Sequence, residues 1–243
     1  APGDCLVVNN TRVIPARLIG RRADTGSEVE ILLLERRDSH NWETIVRPGR
    51  RVRPGHHIVF LPGELEADIV EILPDGGRVV RFAFDSPWEA LLERAGAVPL
   101  PPYIHETLED RERYQTVYAR FAGSAAAPTA GLHFTDEMLG AIRARGIPVA
   151  ELTLHVGLGT FRPVQAEDLS DHIMHREYYE MSEACAALIN RTRQNGGRVV
   201  AVGTTSCRVI ETVADERGLV HAGSGWTEIF IYPGYRFKGV DAL

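Results

Sequence analysis

A change of hydrophobic rhythm near residue 85 constrains the fold more than any other feature. Residues 14–84 hold short strand-like runs, at residues 29–35, 42–46, 57–61, 65–73 and 78–84. Within residues 65–73, Glu66, Asp68 and Glu71 interleave with apolar neighbours. That is the pattern of antiparallel strands with one face in a core and the other in water. Turn formers punctuate the runs: Arg53-Pro54-Gly55, Leu61-Pro62-Gly63 and Pro74-Asp75-Gly76-Gly77. Short strands at roughly ten-residue spacing suggest a small barrel or sandwich.

After residue 85 the runs lengthen, and strands alternate with helices, which predicts an α/β domain. Ser86-Pro87-Trp88-Glu89 reads as a capping box, with proline at the first helical position. The charged segment 109–118 reads as an amphipathic helix. Further helices are expected over 135–145, closed by Gly146, and after Ser182 up to Gly196-Gly197. Residues 147–156, 198–203 and 228–232 read as strands. The expected architecture is α/β with two domains. A small β-barrel, residues 14–84, is inserted into an α/β domain made of residues 1–13 plus 85–243.

Composition narrows the setting. The chain has 243 residues and a net charge of −6, so it offers nucleic acid no whole-chain attraction. RNA contact needs a local basic patch, and Arg47, Arg50, Arg51 and Arg53 supply one among turn formers. The same patch also suits a solvated loop. No apolar run approaches the roughly 20 residues of a membrane span. Cys5, Cys185 and Cys207 have no framework spacing, as in the reducing cytoplasm.

Two stretches carry the chemistry. Ala125-Ala126-Ala127-Pro128-Thr129-Ala130-Gly131-Leu132-His133 and Leu154-His155-Val156-Gly157-Leu158-Gly159-Thr160 each set a histidine among small residues and a threonine. Small residues let a ligand approach the backbone, and histidine exchanges protons near neutral pH. Val202-Gly203-Thr204-Thr205-Ser206 passes from a buried strand into a helix at Cys207, which suits either an anion cradle or plain capping. Asn9, Thr11 and Arg12 follow the first strand and suit a carboxylate, a phosphate or a capped turn. His172 and His175 are three apart and Glu177 follows, but no third ligand stands at a recognised spacing, and the reading is no metal.

Taken together, the motifs resemble one family. They are Asn9-Asn10-Thr11-Arg12-Val13-Ile14-Pro15-Ala16-Arg17-Leu18, Val46-Arg47-Pro48-Gly49-Arg50-Arg51, Val98-Pro99-Leu100-Pro101-Pro102-Tyr103-Ile104 and Arg111-Glu112-Arg113-Tyr114-Gln115-Thr116-Val117-Tyr118. With them go the two histidine loops, Val202-Gly203-Thr204-Thr205-Ser206, and Gly223-Ser224-Gly225-Trp226-Thr227 through Tyr232-Pro233-Gly234-Tyr235. The chain resembles the S-adenosylmethionine:tRNA ribosyltransferase-isomerase family of queuosine biosynthesis from end to end. Family members also carry a segment before Leu6 and an Asn-Phe-His-Leu-Pro-type motif after Leu243, neither of which is in these residues.

The resemblance implies an α/β barrel for the larger domain and a cytoplasmic monomer. It implies transfer and isomerisation of the ribosyl moiety of S-adenosylmethionine, with no metal. The acceptor is 7-aminomethyl-7-deazaguanine at the wobble position of a tRNA, and the products are epoxyqueuosine, adenine and methionine. On that chemistry His133 and His155 are the candidate base and acid, in either order. Arg12, Thr129, Thr160, Thr205, Ser206, Trp226 and Tyr232 are candidates to bind substrate. Arg47, Arg50, Arg51 and Arg53 are candidates to contact RNA. The alternative class is a non-catalytic tRNA-binding protein using the barrel and its arginines. A methyltransferase fits poorly, since no glycine-rich loop and ribose-binding acid follow the first strand.

Overall fold

The computed structural model describes residues 1–100, 104, 110–157 and 176–243. Two compact units emerge, Ile14–Glu106 and the combination of Ala1–Val13 with Thr107–Leu243. Strands β1 (Cys5–Asn9) and β2 (Thr11–Val13) begin the latter.

The Ile14–Glu106 unit is a closed antiparallel barrel. Its strands are β3 (Arg17–Arg22), β4 (Glu28–Arg36), β5 (Asn41–Arg47), β6 (His57–Leu61), β7 (Leu65–Ile72) and β8 (Arg78–Ala83). They pair in the order β4-β5-β8-β7-β6-β3, and β3 pairs again with β4, closing the ring. Alternation does the sorting: in β4, Val29, Ile31 and Leu33 are buried while Glu28, Glu30 and Leu32 are not. Closure satisfies the edge groups that an open sheet leaves bare.

The unit continues past residue 84 through helix α1 (Trp88–Ala95) and the short strand β9 (Gly96–Ala97). In α1 the buried residues Trp88, Leu91 and Leu92 share one stripe and join the barrel core. Trp88 stacks on Trp42 with ring centroids 5.6 Å apart and meets Phe82 edge-on at 5.0 Å. The expected capping box does not form. Pro87 itself is the N-cap, its carbonyl accepts from Ala90 and Leu91, and no side chain caps the helix. Helix entry here is governed by the need to bring Trp88 onto the core. Gly96 then lies against Pro15 so closely that a Cβ would fall 2.1 Å from the Pro15 carbonyl oxygen.

The other unit is α/β. Strand β10 (Phe121–Ser124) pairs in parallel with β2. Next come helix α2 (Asp136–Ala144), strands β11 (Val149–Leu154) and β12 (Glu177–Met181), helix α3 (Glu183–Gln194), strand β13 (Val199–Ala201), helix α4 (Gly203–Val213) and strand β14 (Gly223–Thr227). Five strands form a mixed sheet in the order β13-β1-β11-β12-β14. β13, β1 and β11 run parallel, whereas β12 and β14 are antiparallel additions. Val7, Leu152 and Leu154 of the sheet, Cys185 and Ile189 of α3, and Cys207 and Ile210 of α4 form one core.

Expected caps are realised at Thr135, which accepts from the Met138 amide, and at Ser182, which accepts from the Cys185 amide. Three local expectations change. Residues 111–114 form a single 3-10 turn, because Gln115 swings out to hold the Val13 amide and carbonyl through both ends of its side chain, each at 2.9 Å. The last strand sits at 223–227 and not at 228–232, paired residue for residue with β12. Helix α4 starts at Gly203, whose φ of +83° turns the chain out of β13, so Thr204, Thr205 and Ser206 lie in the helix and not before it.

Candidate active site

The parallel strands β1, β11 and β13 end on one side of the α/β unit, where ligands of such sheets gather. Asn9 locks two of these ends together. Its Oδ1 accepts from the Leu154 amide at 2.9 Å and the Thr11 amide at 3.1 Å, and its Nδ2 donates to the Leu154 carbonyl at 3.0 Å. Asn10 adds a second tie by accepting from the Thr153 hydroxyl at 2.7 Å.

His155 follows directly on β11. Its amide donates to the Tyr178 carbonyl at 2.9 Å, and its Nδ1 lies 2.8 Å from the Thr11 hydroxyl. Gly123 passes against the ring, where any Cβ would come within 2.8 Å of Cε1. Burial pushes the imidazole below its ordinary pKa, opposed by the negative charge of Glu180. The loop beyond is held as well: the Val156 amide donates to Ser124 Oγ at 2.9 Å and the Gly157 amide to Glu177 Oε1 at 3.0 Å. Glu177 pairs with Arg208 of α4 inside the unit, and Arg208 also donates to the Thr227 carbonyl at 3.2 Å. One buried network therefore joins α4, the loop after His155 and the end of β14.

His133 closes a 3-10 turn, Thr129–His133, and both of those residues are exposed. Ala130 of this turn packs against Gly203 at the head of α4. Tyr118 lies over Gly131, where a Cβ would fall 2.0 Å from its hydroxyl oxygen. Its phenol is pushed up to about 12, first by burial and then by the charge of Glu151. The hydroxyls of Thr116, Tyr118 and Thr205 are buried without a hydrogen-bond partner among the described residues.

The profile of the queuosine biosynthesis protein family matches residues 1–243. The chain belongs to that family. Relatives named S-adenosylmethionine:tRNA ribosyltransferase-isomerase include those of Symbiobacterium thermophilum, 61% identical over 242 residues, and Moorella thermoacetica, 60% identical over 243. That of Acetivibrio thermocellus is 58% identical over 241 residues. The alignments cover 99–100% of this chain and 71% of each relative. A crystal structure of an S-adenosylmethionine tRNA ribosyltransferase from Thermotoga maritima is 32% identical, with a TM-score of 0.40, covering 99% of this chain and 65% of that one.

In this queuosine biosynthesis chain the remaining expected site residues are spread out. Arg12 pairs with Glu112. Ser206 is fully buried and gives its hydroxyl to the Val202 carbonyl at 3.0 Å, one helical turn back. Trp226 is 45% exposed on β14, and Tyr232 is exposed beyond it, against Phe230. Thr160, His172 and His175 fall outside the described residues. Among the described residues no group of histidine, cysteine and carboxylate side chains is arranged to hold a metal ion, and no helix is long and apolar enough to cross a membrane.

In the barrel unit, Arg47, Arg50, Arg51 and Arg53 are all exposed. Their loop is pinned from beneath by buried Arg78, which donates to the carbonyls of Gly49 at 2.7 Å and Val52 at 3.2 Å. Arg78 carries none of the turn or motif signals that mark a site residue. Nor do Tyr178 and Glu180, although their i, i+2 spacing on a short strand places both on one face.

Proposed function

We propose that the protein transfers and isomerises the ribosyl group of S-adenosylmethionine onto 7-aminomethyl-7-deazaguanine at the tRNA wobble position. Epoxyqueuosine forms, and adenine and methionine leave. The observation that carries this reading is the extent of the match: relatives bearing this activity in their names align with 99–100% of the chain. The sulfonium acidifies the adjacent 5′ carbon, so a base must take a proton there, and adenine leaves more readily when an acid protonates it.

His155 is the base. Burial favours its neutral form, and Thr11 meets Nδ1 at 2.8 Å. The base role takes the tautomer in which Thr11 accepts from Nδ1–H, its own proton turned toward the Phe121 carbonyl, so that Nε2 keeps its lone pair. His133, exposed at the end of its turn, is the acid. The N-terminus of α4 has no side-chain cap among the described residues and carries the Thr205 hydroxyl, a fit for the methionine carboxylate. Arg12, Thr129 and Tyr232 complete the substrate contacts. Ser206 supports the α4 turn through its bond to Val202. The pinned arginine loop contacts tRNA phosphates.

The test is incubation of the full-length protein with S-adenosylmethionine and tRNA bearing the aminomethyl base, following adenine release and the mass of the digested nucleoside. Adenine together with an epoxyqueuosine-mass nucleoside is expected. Salt-dependent tRNA binding without adenine release would instead make this a non-catalytic tRNA-binding protein.

A further inference from the structure

The sheet of the α/β unit has two unlike faces. Tyr179 and Met181 of β12 pack into the core with α3 and α4. The period-2 alternation sends Tyr178 and Glu180 to the opposite face. There Tyr178 stands directly across from Trp226 in register, with ring centroids 5.7 Å apart and planes at 68°. On its other side Tyr178 lies nearly parallel to the His155 ring, at 6.2 Å and 15°. A row of three rings thus crosses β11, β12 and β14 and begins at the proposed base. The outer ring is the exposed one, with Trp226 carrying Arg176 over its plane at 5.4 Å.

A carboxylate is fixed beside this row. Tyr178 donates its hydroxyl to Glu180 Oε1 at 3.0 Å, which sets the direction of the side chain. Glu180 also borders a groove of about 570 Å³ that runs over the same face past Asn10, Glu151 and Ser224, a volume in the range of small-molecule sites. Each carboxylate oxygen has two lone pairs, so the bond from Tyr178 leaves Glu180 able to accept two more N–H groups side by side.

Exposed aromatic rings bind bases that have been drawn out of a stack, and hydrogen bonds along the base edge then select among them. A guanine-type edge presents N1–H and the N2 amino group together, the complement of a carboxylate. Adenine presents an acceptor at N1 and pairs poorly with one. We propose that Trp226, held edge-on by Tyr178, is the stacking ring for the flipped 7-deazaguanine of the tRNA, and that Glu180 reads its N1–H and N2 amino edge. Glu180 is then a specificity residue for the acceptor base, and the adenosyl part of the donor binds elsewhere. This rests on the tRNA-modifying reading above.

Tryptophan fluorescence supplies a direct test, because Trp42 and Trp88 are buried and Trp226 is exposed. An anticodon stem–loop RNA with 7-aminomethyl-7-deazaguanine at the wobble position should quench the emission, and Trp226→Phe should abolish that quenching. S-adenosylmethionine alone should leave the emission unchanged. Glu180→Gln should weaken the deazaguanine stem–loop about tenfold or more, as loss of a paired base edge does. It should leave a stem–loop with adenine at that position bound as before. Quenching by S-adenosylmethionine and not by RNA would assign the rings to the donor's adenine and overturn the proposal. Equal weakening of both RNAs by Glu180→Gln would overturn the edge reading. Adenine release by the unsubstituted protein, measured in parallel, keeps a failure of this face distinct from a failure of the enzymatic reading.

Discussion

At His155 the backbone, the ring and the charge are each set by a different neighbour. Tyr178 holds the amide, Thr11 meets Nδ1, Gly123 leaves the ring its space, and burial lowers the pKa. A base acts when neutral, so a lowered pKa keeps it active further into acid. The acid limb of the kcat/KM profile should therefore have its midpoint below 6.5, the ordinary histidine value. A midpoint above 6.5 would contradict the assignment. His155→Ala should lower kcat roughly 10²–10⁴-fold, the usual worth of a positioned proton-transfer group. Gly123→Ala should also lower kcat, because its methyl must displace the ring. A Gly123→Ala enzyme with normal turnover would show that the position of the ring does not matter. Neighbours 144 residues apart in the chain, such as Thr11 and His155, leave no local trace in sequence. The histidine was legible as a candidate because glycines flank it, whereas its tautomer partner was not.

Among the elements, five of the six barrel strands were legible as short runs between turn formers, whereas β3, which closes the ring, was not, because its arginines and glycine leave only Leu18 and Ile19 as apolar signal. The helices were legible where a cap and a glycine bracket them, as in α2 and α3. α1 and α4 differ because packing decides their starts: Trp88 must reach the barrel core, and Gly203 must turn sharply out of β13. The arginine loop shows a further gap in what a sequence reveals. Its exposed residues are conspicuous, but the residue that shapes it, Arg78, lies on a neighbouring strand and is buried. Arg78→Met should free the carbonyls of Gly49 and Val52 and loosen the loop. Affinity for tRNA at fixed salt should fall, with a smaller slope of log K against log salt, as phosphate contacts are lost. An unchanged slope would mean that the loop does not contact the RNA. Trp88→Ala should destabilise the barrel by about 3–5 kcal/mol, measured by denaturant unfolding.

Across the whole molecule, two histidines bias stability in opposite directions. His57 sits between Asp68 at 2.8 Å and Glu66 at 3.0 Å, and these bonds raise its pKa, Asp68 contributing most. Its contribution is fully present below the unfolded value of 6.5 and is lost as pH rises through the folded value. His155 has a lowered pKa, so its contribution is present above 6.5 and is lost as pH falls through the folded value. His57→Gln should therefore melt below the unsubstituted protein near pH 5.5, and the two should converge well above the raised pKa. A gap that stays constant with pH would show that protonation of His57 is not involved. The barrel is also continuous in sequence, closed, and has its own core. A fragment of residues 14–100 should fold alone with a single cooperative melt; a fragment lacking one would show that the core does not suffice.

The pairing of β3 with β9 has a further consequence. Arg17 stands opposite Ala97 and Leu18 opposite Gly96, so the barrel's entrance and exit are bonded to each other. Before the barrel folds, the other unit must bring together the ends of a loop of about 93 residues; afterwards the loop outside the pairing is about twelve residues. By the logarithmic dependence of loop closure on length, about three halvings lower that entropic cost by about 1.8 kcal/mol. Synthesis from the N-terminus delivers the insert before most of its host, so the order of folding that suits the host is the order in which the ribosome makes it. The same hinge marks where the insert can be exchanged for another closed module, or for a short turn, without asking the surrounding sheet to find a new register.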